Sequence, residues 1–145
     1  ALTRRGLSQC HIQSVHLAKL DWRPDFVLCS SAVRTRQTLD ALDLDLAQDQ
    51  ICYVDGLYEA ACSDLYEQIK ALPGTAYHVL VIGHNPTIAQ MTEFLTSSYT
   101  ETAQKQAQNL TGFPTGAMAF FDISQENWTD IQPHSATCSA IYVPD

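Results

Sequence analysis

Three short apolar runs, FVLC at 26–29, ICYV at 51–54 and HVLVI at 78–82, each lead into a longer segment in which apolar residues recur at helical spacing. A strand with no polar face has to be covered on both sides. Helices that carry the chain from one strand to the next provide that cover and leave the strands parallel. The alternation therefore predicts an α/β fold, a three-layer α/β/α sandwich around a mostly parallel sheet. In such sheets ligands gather beyond the carboxyl ends of the strands.

Thr3 reads as the cap of a first helix, with Leu7, Cys10, Ser14, Leu17 and Ala18 on one small or apolar stripe, stopped at Arg23-Pro24. Ser31 reads as the cap of a second helix, AVRTRQTLDALDL. Residues 57–74 read as a third, halted by Pro73-Gly74, and Pro86 to about Ser97 as a fourth. The polar stretch 98–109 has no clear period and reads as a loop with some helix. PTGAMAFFDI at 114–123 and a run near 137–143 read as strands, the second at an edge. With 145 residues, 46% of them hydrophobic, the chain is long enough for one core, so a single domain over 1–145 is expected.

A net charge of −8 supplies no basic footprint for nucleic acid or for an anionic membrane, so neither is expected as a partner. No apolar run approaches the roughly 20 residues that cross a bilayer. Five cysteines, an odd number without C-x-x-C spacing, indicate neither a disulfide framework nor a zinc site, and reduced thiols in the cytoplasm fit them. His11, His16, His78 and His134 lack ligand spacing, so no metal and no cofactor are expected. The acidic run 43–49 reads as a solvated helix end. The sequence carries no signal of oligomeric state.

The chemistry concentrates where two of the strands end. In HVLVIGHNP a strand closes, Gly83 permits a tight turn, His84 follows, and Asn85-Pro86 reads as the cap and first position of a helix. A helix start in that place aims unpaired N–H groups and a positive dipole end at the crevice, which suits phosphate. His84 brings a charge tunable near neutral pH; the plainer reading is a local hydrogen bond at a strand end. In CSSAVRTRQT, Arg34 falls in the first turn of a helix, where a cation opposes the dipole by about 0.3–1 kcal/mol unless an anion is bound. Its planar guanidinium suits a bidentate phosphate contact, while Thr35, Arg36 and Gln37 turn to other faces. Taken singly, it could equally be a solvated surface arginine. Cys29 is not the nucleophile of a C-x5-R phosphate loop, because the arginines follow after four and six intervening residues; it reads as a buried strand residue.

CSSAVRTRQT, LYEA, VIGHNP and FPTGAMAF, in that order, resemble the histidine phosphatase superfamily, and specifically its small phosphohistidine phosphatases of the SixA type. ALTRRG resembles the segment R-P-L-T-x-R-G of that family. The resemblance implies a metal-independent phosphatase in which a histidine attacks phosphorus and is transiently phosphorylated. Two arginines and two histidines then hold the phosphoryl oxygens. It gives Arg34 the part of the second arginine and His84 that of the second histidine, which contacts a phosphoryl oxygen. Glu59 of LYEA falls where larger members carry a general acid, and its plainer reading is an exposed acid. Ser30 and Asn85, with Thr115 and Gly116 of the PTG turn, are expected at the substrate pocket. The substrate is expected to be a phosphorylated protein or a small phosphorylated compound.

The nucleophile itself departs from the pattern. The family carries it in R-H-G or R-H-A at the end of a first strand, upstream of the segment that ALTRRG matches, and this chain has no such motif. His11 and His16 fall inside the first helix. Either that strand precedes Ala1 in the natural protein, or the chain is a relative without turnover. The first is the expectation, because a sheet lacking that strand would leave edges unpaired. Residues 1–145 alone are then expected to be inactive. Two other readings stay open: a phosphatase or mutase for small phosphate esters, in which Glu59 would matter, and a non-catalytic phosphate-binding module.

Overall fold

The computed structural model describes residues 1–57, 61–108 and 110–144. By contacts between residues the chain divides into two compact units. One comprises 1–60, 75–84 and 144–145, the other 61–74 and 85–143.

The first unit holds helix α1 (Arg4–Leu20), strand β1 (Phe26–Ser30), helix α2 (Val33–Ala41) and strands β2 (Ile51–Val54) and β3 (Val79–Ile82). The strands form a parallel sheet in the order β2-β1-β3. The apolar run of β1 is explained by its central place: Val27, Leu28, Cys29 and Ser30 are all essentially buried. α2 packs on β1 and β3, and α1 on α2. At the sheet's other end the Asp25 carboxylate accepts from the amides of Tyr77 (3.0 Å) and His78 (3.1 Å), tying the entry of β1 to that of β3.

α1 begins as expected, with the Thr3 hydroxyl accepting from the Gly6 amide. Its buried stripe differs, however. Cys10 and Leu17 are buried together with Gln9 and Gln13, while Leu7 is 49% exposed. Gln13 makes that burial tolerable by meeting the His16 ring through its side-chain amide at 3.0 Å. The helix ends at Leu20, ahead of Arg23-Pro24, and its cap Asp21 turns left-handed (φ 52°). α2 also corrects its cap. Ser31 does not cap it; Ala32 precedes the helix without a side-chain bond, and the Thr35 hydroxyl reaches back to the Ser30 carbonyl at 2.7 Å.

The second unit holds α3 (Cys62–Lys70), α4 (Thr87–Leu95), β4 (Thr96–Tyr99), α5 (Glu101–Ala107), β5 (Met118–Asp122) and β6 (Ala136–Tyr142). Its sheet has the order β4-β6-β5, with β4 parallel and β5 antiparallel to β6. β6 is thus central where an edge was expected. Its missing neighbour was TSSY, a polar edge strand that has no apolar run to reveal it. Of the stretch 98–109, residues 98–107 form the end of this strand and α5, capped by the Thr100 hydroxyl. α3 is shorter than the 57–74 expected: the Asp64 carboxylate accepts from the Ala61 amide and starts the helix there. α3 packs on α4, with Leu65, Met91 and Ile131 buried. Ala103, Cys138 and Ile141 form a second small core with Phe121 and Val143.

The expected α/β class with a mostly parallel sheet is the one observed, since three of the four strand pairings among the described residues are parallel. Among those residues no helix is long and apolar enough to cross a membrane.

Candidate active site

β1 and β3 are parallel neighbours in the register Cys29↔Ile82, so their carboxyl ends lie side by side. That alignment brings Ser30, the last residue of β1, to His84, two residues past the end of β3: Nε2 of the ring lies 2.8 Å from the Ser30 hydroxyl. α2 then starts over the same end of the sheet and delivers Arg34 from its first turn. The guanidinium approaches Nδ1 of His84 through Nε at 3.3 Å and Nη2 at 3.2 Å. The guanidinium and the imidazole, fifty positions apart in sequence, thus meet at one rim of the sheet. His84 is 8% exposed, whereas Arg34 is exposed. Burial first, and the neighbouring guanidinium second, lower the pKa of His84 from its ordinary value, which keeps the ring neutral near pH 7.

The rest of the first turn of α2 faces elsewhere, as the sequence suggested. Thr35 is buried on β1. Arg36 donates to the Ser31 carbonyl at 2.8 Å and lies 4.0 Å over the Tyr53 ring. Gln37 accepts the Leu2 amide at 2.7 Å. Cys29 is fully buried, and burial pushes its thiol up to about 11 despite an opposing bond to Thr35. A thiol with that pKa is no nucleophile at neutral pH.

Asn85, Thr115 and Gly116 belong to the second unit. Asn85 was expected to cap α4, but Pro86 stands at the cap and the helix begins at Thr87. The Asn85 side chain is occupied at both ends: its oxygen accepts from the Ala89 amide at 3.2 Å and its nitrogen donates to the Phe113 carbonyl at 3.1 Å. This bond ties the start of α4 to the PTG segment. There the Ala117 amide closes a turn on the Pro114 carbonyl, and Gly116 (φ 80°) takes the left-handed position that favours glycine. Glu59 lies outside the described residues.

His16, His78 and His134 have local partners. The His134 ring bonds the Thr96 carbonyl at 3.2 Å, and the His78 ring tilts against Trp22. A cavity of about 420 Å³ in the first unit, lined by Leu17, Trp22, Asp43 and Asp45 among others, includes neither Arg34 nor His84. It is a surface fold between the end of α1 and the loop after α2, where Arg23 shares the lining with Asp21, Asp43 and Asp45. What sequence reasoning missed is the Ser30–His84 bond. The tandem Ser30-Ser31 was the available signal, but which serine faces the crevice depends on where the strand stops.

No family model matches the chain. An uncharacterized protein of Mycobacterium tuberculosis is 32% identical over 120 residues, which cover 83% of this chain and 73% of the relative. A solved SixA structure from Nakamurella multipartitia superposes with a TM-score of 0.82 at 27% identity, over 99% of this chain and 84% of that one. A second, from Agrobacterium tumefaciens, has a TM-score of 0.67 at 30% identity, over 84% of this chain and 76% of that one. With that identity and coverage, and with an arginine and a histidine meeting at the carboxyl ends of adjacent parallel strands, the chain belongs to the SixA group of the histidine phosphatase superfamily.

Proposed function

We propose that the chain forms the phosphate-holding part of a single histidine-phosphatase domain that hydrolyses phosphohistidine on proteins. The attacking histidine is contributed from upstream of residue 1. The observation that carries this reading is the Arg34–His84 contact at the sheet rim. In the first step a ring nitrogen of the attacking histidine forms a bond to phosphorus as the bond from phosphorus to the substrate's imidazole breaks, and the departing nitrogen takes a proton. In the second step water attacks phosphorus, the enzyme's N–P bond breaks, and inorganic phosphate leaves. Arg34 holds the phosphoryl oxygens and offsets the charge that spreads over them, and His84, in the part of the family's second histidine, stands against them. An imidazole leaves more readily than an alkoxide, so the reaction makes little demand on a general acid.

Two things support a protein-borne substrate in a reducing cytoplasm. The related solved structures carry the name phosphohistidine phosphatase. The cysteines in the described residues are free thiols.

The test is kinetic. In the full-length protein Arg34→Ala and His84→Ala are each expected to lower kcat on a phosphohistidine protein by about two orders of magnitude, as for a lost transition-state contact. Residues 1–145 alone are expected to show little or no turnover. Near-wild-type rates in both variants would defeat the assignment.

A further inference from the structure

We propose that Ser30 is a positioning residue: its hydroxyl accepts the Nε2 proton of His84 and so decides which nitrogen of that ring faces Arg34. This deepens the phosphatase reading and rests on it for its functional consequence, although the hydrogen-bond assignment stands on geometry alone.

The assignment begins from what each group is able to do. A guanidinium has N–H donors and no acceptor, so a ring nitrogen 3.2–3.3 Å from two of its nitrogens must present a lone pair. Nδ1 is therefore the unprotonated nitrogen of a neutral ring. The proton sits on Nε2, and the group 2.8 Å from Nε2 is the Ser30 hydroxyl, which accepts it. Burial makes this bond count. Ser30 is 1% exposed and His84 8% exposed, so the bond between them is shielded from competing water.

Ser30 is also held in place. It ends the central strand, and its carbonyl is bound by the Thr35 hydroxyl at 2.7 Å. Its hydroxyl is directed at the ring, and its influence on a phosphoryl group passes through that ring. A 180° flip of the imidazole would put carbons where Nδ1 and Nε2 now lie, and both polar contacts would be lost. Two anchors on opposite sides of the ring exclude this flip. The result is that Nδ1 accepts from Arg34 and orients the guanidinium at the rim, so that its N–H groups are the ones to meet a phosphoryl oxygen.

The test reads the ring directly. The 145-residue protein is prepared with 15N-labelled histidine, and the His84 signals are assigned by their loss in His84→Asn. In long-range proton–nitrogen spectra at neutral pH, wild-type His84 should show a protonated Nε2 and an unprotonated Nδ1. In Ser30→Ala the Nε2 proton should exchange with water roughly tenfold faster or more, with the other four histidine signals unmoved. A wild-type ring protonated on Nδ1 would overturn the proposal, as would an Nε2 proton whose shift and exchange are the same in Ser30→Ala. If the alanine variant does not fold, the wild-type tautomer alone decides.

In the full-length protein Ser30→Ala should lower kcat by about tenfold, with KM changed far less, because a displaced contact group costs most in the transition state. Titration with inorganic phosphate separates the two claims. A wild-type protein that shows the Nε2 proton but no shift of His84 with phosphate refutes the phosphatase reading and leaves the role of Ser30 standing. A phosphate response that persists unchanged in Ser30→Ala, with the proton signal unaltered, refutes the role of Ser30 alone.

Discussion

Cys29 and Cys52 stand on neighbouring parallel strands, where Cys29 aligns with Tyr53 and Cys52 with Leu28, yet their thiols live in opposite surroundings. Cys52 is exposed; Cys29 is fully buried with its pKa pushed up to about 11. The reactive species is the thiolate, so both access and ionisation protect Cys29. A thiol reagent at about pH 8 is expected to modify Cys52 within the mixing time and Cys29 only on global unfolding; mass mapping that finds Cys29 modified in the folded protein would contradict this. At this scale the sequence was readable where a residue's place follows from the end of a strand. Arg34 and His84 could be named because β1 and β3 end on recognisable helix starts. Ser31 was misjudged because a serine before a helix caps it only if the backbone turns at that residue, and here the turn falls at Ala32. Asn85 stands one residue before the cap position, yet its side-chain oxygen still accepts from the Ala89 amide in the first turn of α4 while its nitrogen bridges to Phe113.

Among the elements, α1 closes on an unusual choice. Asp21 adopts the left-handed conformation, with its amide bonded to Ala18 and the next amide bonded to Leu17. Asparagine tolerates that conformation about as well as aspartate, while the aspartate carboxylate sits at the negative end of the helix dipole. Asp21→Asn should therefore stabilise the protein by about 0.5 kcal/mol, seen as a higher urea midpoint with an unchanged slope; a lower midpoint would show that the carboxylate has a partner that matters more than the dipole. Strands proved legible by their apolar runs rather than by their burial, since ICYV was read as readily as FVLC although its Cys52 and Tyr53 are exposed. FVLC, ICYV and VLVI announce themselves because apolar residues occupy both faces, whereas TSSY, which lies at the edge of its sheet, has only polar side chains and a tyrosine to offer. Missing it made β6 look like an edge. The far end of α3 was overread for a related reason: the expected helix ran to Gly74, but α3, which the Asp64 carboxylate starts at Cys62, ends at Lys70.

For the molecule as a whole, a net charge of −8 works against a phosphate dianion at long range even though Arg34 attracts it at contact. Salt screens the distant repulsion first, because the screening length falls to about 10 Å at 0.1 M. Raising potassium chloride from about 0.01 to 0.1 M should therefore increase kcat/KM of the full-length protein on a phosphorylated substrate. A steady decrease over that range would mean that the local positive field governs the encounter.

The first turn of α2 has a further implication. Arg34, Thr35, Arg36 and Gln37, successive residues at about 100° intervals round the helix, fasten to His84, to the Ser30 carbonyl, to Ser31 with Tyr53, and to Leu2. One turn thus acts as a hub with four spokes. Changes at these positions will not combine as independent contributions, since slackening any spoke lets the axle shift beneath the other three. Substitutions accepted at one of them will tend to be accompanied by substitutions at another.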